Sequence, residues 1–297
     1  MSAAMAMLVN FSPEIRTWIL HNLDRGCAPS ALVGSMVDQK FEPQVAQGLI
    51  DAFVRARSAG VAPPGHSLTL DLPPLEYRYE TPRLAPGSVI RTPGRVMPVL
   101  VRTEGPVLAV LEGVLSAEEC DELIELSRPR LKASTVVDPQ TGKNTIAEYR
   151  DSHGMFFRLE ETPFVAVLDR RISEIMNCPI ENGDGLQVLR YGPGTKTTPH
   201  FDFLVPSNPA NKASLARSGQ RISTLIVYLN DVISGGETAF PELGLSVSAK
   251  KGNAVYFEYA NTRNQVDYRS LHAGAPVAEG EKWAATKWMR ERRFLSA

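Results

Sequence analysis

The chain of 297 residues has only three cysteines, Cys27, Cys120 and Cys178, and no two of them form a CxxC pair. An odd number of widely spaced cysteines argues against a disulfide framework, and the missing CxxC pairs argue against a thiolate zinc site. This cysteine usage is typical of a reducing compartment, so we expect a cytoplasmic protein.

Long apolar runs and an excess of one charge are missing as well. No segment approaches the roughly 20 apolar residues of a transmembrane helix. Residues 1–16 have no basic stretch and only a short apolar run, so we expect no signal peptide. Because 32 Lys and Arg stand against 33 Asp and Glu, the charge balance gives no argument for binding nucleic acid or a membrane surface.

Residues 1–60 are predicted to form a small helical module. Ser12 followed by Pro13 is a helix start signal, and Gly26 suits the end of that helix. Further helices are predicted over 29–39 and 43–57, the latter with an apolar stripe at helical spacing. No residue of this module points to a particular chemistry, and its role is left open.

The rest of the chain divides into a proline-rich part and a larger β-rich part. Residues 61–99 are predicted to be a linker or an extended wrapping segment, because 61–98 contains eight of the 22 prolines. Residues 100–297 form the third part, with a capping box at Ser116 and Glu119 and a helix predicted over 162–177.

Short strand-forming runs separated by turn residues follow from residue 185. The pattern favours a mainly β fold with helices (α+β), built as a sandwich or barrel, over a parallel α/β sheet.

Two side chains that bind metals stand one residue apart in "PHFDF", His200 and Asp202. On a strand both side chains project to the same face. An HxD motif alone is weak, but His272 lies about 70 residues downstream on another predicted strand. Two imidazoles and one carboxylate leave three positions of a metal free, which suits non-haem Fe(II). We therefore predict these three residues as metal ligands, brought together by a double-stranded β-helix of the jelly-roll type.

Lys282 stands ten residues after His272, in a predicted strand that runs inward. An unpaired ammonium is costly in such a place, and a dicarboxylate cosubstrate would supply the missing anion. Considered alone, the residue is better explained as a solvent-exposed lysine.

Four stretches together resemble the 2-oxoglutarate- and Fe(II)-dependent dioxygenases of the prolyl 4-hydroxylase type. They are "YGPGTKTTPHFDF", "RISTLIVYLNDVISGGETAFPELG", "SAKKGNAVYFEY" and "SLHAGAPVAEGEKWAATKWMRERRF". The resemblance covers about residues 100–297 and is dense over 186–294. It implies a double-stranded β-helix (jelly-roll, cupin-like) catalytic domain that uses Fe(II), 2-oxoglutarate and O₂, with ascorbate as a reductant.

The resemblance also implies roles for single residues. The three predicted metal ligands match the iron ligands of the family. Lys282 matches the basic residue that pairs with the distal carboxylate of 2-oxoglutarate. Tyr191 and Thr224 match residues that contact the same cosubstrate. The implied reaction decarboxylates 2-oxoglutarate to succinate and hydroxylates an unactivated C–H bond.

The chain departs from the peptidyl-proline pattern beside these ligands. Thr195 and Thr197 stand where Gln and a second Tyr are expected, and Arg290, two residues after Trp288, stands where collagen-type members have His. We therefore expect a small amino-acid-like substrate with Arg290 as its anion clamp, and Thr197 and Trp288 as further substrate contacts.

Three alternatives to this function stay open. The first is a prolyl 4-hydroxylase that acts on a peptide or protein. The second is a cupin-like sensor that binds iron and 2-oxoglutarate without turnover. The third is a hydrolytic zinc site, which Lys282 disfavours.

The stretch 203–220 between the first two ligands and the next core strand is long and polar. A loop of that length in a compact domain is usually functional or disordered. We predict that it is a mobile lid over the metal.

Overall fold

The computed structural model describes residues 5–39, 41–72, 77–133, 135–137, 144–146, 152–206 and 208–294. The chain divides into two compact units, Met1–Glu76 and Tyr77–Ala297. No helix in the described ranges is long and apolar enough to cross a membrane. All three cysteines are free thiols.

The N-terminal unit combines three helices with a two-stranded antiparallel sheet. The helices are α1 (Pro13–Asp24), α2 (Pro29–Asp38) and α3 (Pro43–Ala59), and the strands are β1 (Met5–Asn10) and β2 (Ser67–Leu72). The helices match the predicted ones because each begins with proline, and the Ser12 hydroxyl caps α1 by accepting from the Ile15 N–H. The sheet was not predicted, because β1 and β2 lie at opposite ends of the unit's sequence.

The C-terminal unit contains three helices and seventeen strands in its described part. The helices are α4 (Ala117–Ser127), α5 (Pro163–Met176) and α6 (Pro209–Ser218). The strands are β3 (Val89–Thr92), β4 (Arg95–Glu104), β5 (Val107–Leu111), β6 (Lys132–Ala133), β7 (Thr135–Val137), β8 (Asn144–Ile146), β9 (His153–Phe157), β10 (Leu186–Tyr191), β11 (Thr197–His200), β12 (Arg221–Tyr228), β13 (Ser234–Gly235), β14 (Thr238–Phe240), β15 (Leu245–Val247), β16 (Ala254–Glu258), β17 (His272–Gly274), β18 (Val277–Glu279) and β19 (Lys282–Arg290).

Two antiparallel sheets carry the C-terminal unit. The larger has nine strands in the order β3-β4-β5-β16-β12-β19-β10-β9-β6, and the smaller has four in the order β11-β17-β14-β15. Strands of both sheets line one cavity. This is the double-stranded β-helix with flanking helices that the sequence predicted, and the α+β assignment is confirmed.

Strand β19 lies inside this arrangement and is buried on both faces. Trp283, Ala285 and Met289 belong to the core cluster that also contains the apolar faces of α4 and α5. The alternate residues Lys282 to Trp288 line the cavity instead. Because side chains alternate along a strand, one strand supplies both the core and the site.

The proline-rich part is not a single linker, which corrects the predicted boundaries at 61–99. Its first half contains β2 of the N-terminal unit, and its second half contains β3 and the start of β4 in the large sheet. Proline is tolerated in a sheet beside a bulge, and Pro98 lies next to the register shift between Val99 and Val101. The high proline content of this segment therefore led to the prediction of a linker where these strands lie.

The residues just before β3 fit the wrapping alternative. The Tyr79 hydroxyl donates to Asp267 at 2.9 Å, and the Arg83 side chain donates to Glu258 at 3.0 Å. These contacts tie an irregular segment to the turn that precedes β17, through Asp267, and to the end of β16, through Glu258.

The predicted lid over 203–220 contains a helix, so the description of this stretch as one loop was wrong. Asn208 accepts from the Asn211 N–H at 2.9 Å, and Pro209 occupies the first turn of α6. Asn followed by Pro is a helix start signal that the polar composition concealed. Residue 207 lies outside the described residues, and the mobility of this stretch stays a prediction.

A buried ion pair joins β19 to α5. Lys287 Nζ donates to Asp169 Oδ1 at 2.7 Å, and the two side chains are 1% and 0% exposed. The pair closes the helix-facing side of the strand, where a single charge would be costly.

We expect Asp169→Ala to lower the free energy of unfolding by about 3–5 kcal/mol, because it leaves the Lys287 ammonium buried without an anion. Denaturant titration measures the loss. The double variant Asp169→Leu with Lys287→Met should recover most of it, since it buries no charge. A single variant as stable as the wild type would contradict this account of the pair.

Candidate metal and cosubstrate site

The three predicted metal ligands converge on one point. His200 ends β11, His272 begins β17, and the two residues lie opposite each other in the pairing of these strands. Asp202 follows two residues after His200. The three ligand atoms lie within 4.8 Å of one another. The Asp202 oxygens lie 3.7 Å from His200 Nε2 and 3.6 Å from His272 Nε2.

Backbone carbonyls orient both imidazoles towards this point. His200 Nδ1 lies 3.0 Å from the Thr198 carbonyl oxygen, and His272 Nδ1 lies 3.0 Å from the Ser270 carbonyl oxygen. An Nδ1–H donated to a carbonyl leaves the Nε2 lone pair free for a metal. Burial lowers the pKa of His272 despite the opposing charge of Asp202, so this imidazole is neutral and able to ligate.

Asp202 is buried and stays ionised. Burial alone would raise its pKa, but the nearby side chains of His272, His200 and Arg221 hold the pKa below the ordinary value of aspartate. The Thr224 hydroxyl donates to Asp202 Oδ2 at 2.7 Å. An oriented carboxylate beside two imidazole nitrogens is the donor set that suits Fe(II).

Thr224 occupies a different place from the one predicted for it. Its hydroxyl also lies 2.9 Å from the Tyr259 hydroxyl, and its side chain is completely buried. Thr224 does not line the cavity, so its contacts in the structure are with a metal-ligand candidate. The cosubstrate contact was implied only by the resemblance to the family, whereas the actual partner of Thr224 depends on long-range packing.

Lys282 is a buried cation that faces the cavity. It is 6% exposed and lines the same cavity as the three ligand candidates. Its Nζ faces the rings of Tyr191 and Tyr228, at 5.8 and 5.4 Å from their centroids. Within the described part of the chain no carboxylate lies within ion-pair distance.

The environment of Lys282 shifts its pKa. Burial lowers the pKa to about 8, although the charge of Glu237 acts in the opposite direction. An ammonium that faces a cavity and lacks an internal partner fits one carboxylate of a dicarboxylate ligand. The exposed-lysine alternative is therefore excluded.

Further polar groups complete the walls near Lys282. The Thr197 hydroxyl donates to the Tyr191 hydroxyl at 3.3 Å, and both residues line the cavity as predicted candidates. The Tyr228 hydroxyl donates to Thr238 at 2.8 Å. Thr238 was not predicted, although it lies in the "GGETAF" stretch and pairs with Gly274, two residues after His272.

Two other lining residues, Gln187 and Thr286, were also missed. They follow the period of two along β10 and β19 that places Tyr191 and Lys282 in the cavity. Gln187 lies four residues before Tyr191, and Thr286 lies four residues after Lys282. The period of two along a strand therefore predicts that both face the cavity.

Arg290 does not act as the predicted anion clamp in this structure. It is 3% exposed, does not line the cavity, and donates from Nε to Asp184 and from a terminal nitrogen to Ser214 at 3.1 Å. The register of β12 with β19 shifts beside Arg290, which ends the alternation that would have turned it inward. Trp288, the other C-terminal candidate, does line the cavity.

Comparisons with known proteins agree with this arrangement. The 2OG-Fe(II) oxygenase superfamily matches residues 186–290, a range that includes every cavity-lining residue described above. Prolyl 4-hydroxylase 1 of Arabidopsis thaliana is 41% identical over 214 residues, which cover 67% of this chain and 74% of that protein. Prolyl 4-hydroxylase subunit alpha-1 of Gallus gallus is 40% identical over 179 residues, covering 60% of this chain and 34% of that protein.

One solved structure is reported beside these relatives. A viral collagen prolyl hydroxylase from Paramecium Bursaria Chlorella virus-1, solved as a 2OG complex, is 29% identical with a TM-score of 0.49. The match covers 62% of this chain and 95% of that chain. Because prolyl 4-hydroxylase 1 of Arabidopsis thaliana is 41% identical and this chain covers 74% of it, the chain belongs to the prolyl 4-hydroxylase family of 2OG-Fe(II) oxygenases.

Proposed function

We propose that this protein hydroxylates prolyl residues in a peptide or protein and decarboxylates 2-oxoglutarate to succinate in the same cycle. The observation that carries the proposal is the single cavity that contains both the His200, Asp202 and His272 cluster and the unpaired Lys282. Bound iron supplies the activation of O₂, which amino-acid side chains cannot provide.

The chain's own residues perform the binding and the orientation. His200, Asp202 and His272 would hold the metal through two imidazole nitrogens and one ionised carboxylate. Thr224 keeps that carboxylate in place through its 2.7 Å hydrogen bond. Lys282 would pair with the distal carboxylate of 2-oxoglutarate, and the buried walls around it keep bulk water away from this pair.

The substrate proposal follows from the relatives and from the charges in the cavity. The curated relatives named above are prolyl 4-hydroxylases. Among the described lining residues, Lys282 is the only lysine or arginine, and the cosubstrate would occupy it. A free amino acid would bring a second carboxylate that needs a cation of its own. This favours the peptidyl alternative over the small amino-acid-like substrate.

The loss of the Arg290 clamp removes the main support for a small substrate. Its charge is already paired with Asp184 in a buried site. Thr195, a second departure from the peptidyl-proline pattern, donates its hydroxyl to the Gly192 carbonyl at 2.7 Å and so shapes a turn. Thr197, the third departure, donates to the Tyr191 hydroxyl in the cavity wall. Arg290 and Thr195 therefore supply no contact to a small carboxylate. The cytoplasmic location stays a prediction.

We expect the wild-type protein with Fe(II), 2-oxoglutarate and a proline-rich peptide to release succinate and to add one oxygen atom to a prolyl residue. His200→Ala and Asp202→Ala should abolish both products, because each removes one of three metal donors. Succinate assays and peptide mass spectrometry measure the outcome.

His153→Ala is the matched control, because His153 is an exposed histidine on β9 outside the cavity lining, and it should retain activity. Oxygen added to free amino acids but to no peptide would overturn the substrate proposal. Tight iron binding without succinate from any substrate would favour the sensor alternative.

We expect the affinity for 2-oxoglutarate to fall as the pH rises through about 8. Burial lowers the pKa of Lys282 to about 8, so the ammonium is present below this pH and is lost above it. Each further pH unit should weaken binding by up to about tenfold, until the neutral amine dominates. Calorimetry under anaerobic conditions with Fe(II) measures the dissociation constant.

Two variants at the same position separate charge from other effects. Lys282→Met should weaken 2-oxoglutarate binding about thirtyfold or more at pH 7, because it removes one partner of a buried charge pair. Lys282→Arg carries a charge that does not titrate in this range, so its affinity should not change between pH 7 and 9. The same pH dependence in Lys282→Arg and wild type would show that another group is responsible.

A further inference from the structure

A buried tyrosine stands at the far end of a hydrogen-bond chain that leads to a metal-ligand candidate. Tyr259 follows directly after β16 and is completely buried. Its hydroxyl lies 2.9 Å from Thr224 Oγ1, and the Thr224 hydroxyl in turn donates to Asp202 Oδ2 at 2.7 Å. Tyr259 does not line the cavity, so the phenol lies behind the site and acts on it through the threonine.

The chemistry of the three groups fixes the direction of this chain. Asp202 stays ionised, so its carboxylate can only accept hydrogen bonds. A hydroxyl has one hydrogen, and Thr224 donates its own to Asp202. The hydrogen between Tyr259 and Thr224 therefore comes from the phenol. Burial raises the pKa of Tyr259 well above its usual value, so the phenol keeps the proton that it donates.

Asp202 depends on such a support because it lies outside the strand that carries the first ligand candidate. β11 ends at His200, which is paired with His272, and Asp202 follows two residues beyond this last pair. The hydrogen bonds of a sheet fix the main chain of the residues that are paired in it. The orientation of the Asp202 carboxylate is therefore set by the contacts of its side chain.

Packing and a main-chain hydrogen bond hold Tyr259 in its position. Its ring contacts the ring of Phe203, with the two centroids 6.3 Å apart. Its main-chain carbonyl accepts from the Asp267 N–H at 2.8 Å. Phe203 is also the residue that follows Asp202 in the chain. Tyr259 therefore supports the metal-ligand segment twice, by its hydroxyl through Thr224 and by its ring against Phe203.

We propose that Tyr259 is a positioning residue that acts through Thr224 to set the orientation of the Asp202 carboxylate, and with it the affinity for the metal. A carboxylate can bind a metal through one oxygen or through both. The hydroxyl chain ends on Oδ2 and is strengthened by its buried surroundings, so it favours binding through Oδ1 alone. Binding through one oxygen leaves more positions of the metal free for other ligands. The inference goes beyond the proposed function, because it concerns the metal and holds for any substrate.

Tyr259→Phe tests the proposal because it removes the hydroxyl and keeps the ring. Groups that orient metal ligands typically contribute about 10- to 100-fold to metal affinity, so the dissociation constant for Co(II) should rise by about tenfold or more. Calorimetry of the full chain with Co(II) alone measures this constant. The visible absorption spectrum of bound Co(II) depends on the number and geometry of its ligands and should change as well. A dissociation constant equal to that of the wild type would overturn the proposal.

Tyr256→Phe is the matched control for the loss of a buried phenol. Tyr256 lies on β16, is also completely buried, and its hydroxyl donates to Glu258 at 2.8 Å rather than to Thr224. This variant should lower the stability of the protein and leave the dissociation constant for Co(II) unchanged. An equally large loss of Co(II) affinity in the control would show that any buried hydroxyl has this effect, which would overturn the role of Tyr259.

A double-variant cycle shows whether the tyrosine acts through the threonine. Thr224→Val breaks the chain next to Asp202 and should weaken Co(II) binding at least as much as Tyr259→Phe does. Thr224→Ser keeps the hydroxyl and should bind Co(II) as the wild type does, which separates the hydrogen bond from a general loss of structure. Adding Tyr259→Phe to Thr224→Val should cause no further loss. Additive losses in the double variant, or binding by Thr224→Ser as weak as that by Thr224→Val, would contradict the proposal.

Discussion

Burial of strand β19 on both faces is the constraint on which core and site depend. Its helix-facing side packs against α4 and α5, and its other side lines the cavity. Two lysines lie on opposite faces of this strand, and only one of them is paired with an anion among the described residues. Lys287 is paired with Asp169 inside the core, whereas Lys282 has no internal anion in the described residues. The first charge is therefore satisfied by the fold, and the second is left for a ligand.

Arg290, like Lys287, is paired with an anion inside the protein and does not line the cavity. Arg290 shares Asp184 with Arg221, and Arg221 supports the indole of Trp288. Arg290 stands where collagen-type members of the family have histidine, and it adds a cation to the wall behind the cavity. The substrate side keeps neutral hydrogen-bonding groups, which suit a peptide main chain better than a free carboxylate.

Sequence patterns predicted the parts of the fold and site that depend on neighbouring residues. Proline and Ser12 marked the N-terminal helices. The HxD spacing predicted that His200 and Asp202 lie together, which they do, although β11 ends at His200 and Asp202 lies beyond the strand. The patterns missed what depends on distant pairing. The sheet of β1 and β2 joins the two ends of one unit. The partner of Arg290 lies more than 100 residues earlier in the chain, so the sequence suggested that Arg290 was free to bind a substrate anion.

The central claim is that one cavity binds both the metal and 2-oxoglutarate. An anaerobic titration with Fe(II) and 2-oxoglutarate, followed by calorimetry and metal analysis, tests it most directly. We expect one iron and one 2-oxoglutarate per wild-type chain, with each ligand increasing the affinity for the other, and loss of both in His272→Ala. Iron binding that persists unchanged in His272→Ala, or 2-oxoglutarate binding that is indifferent to iron, would contradict the claim.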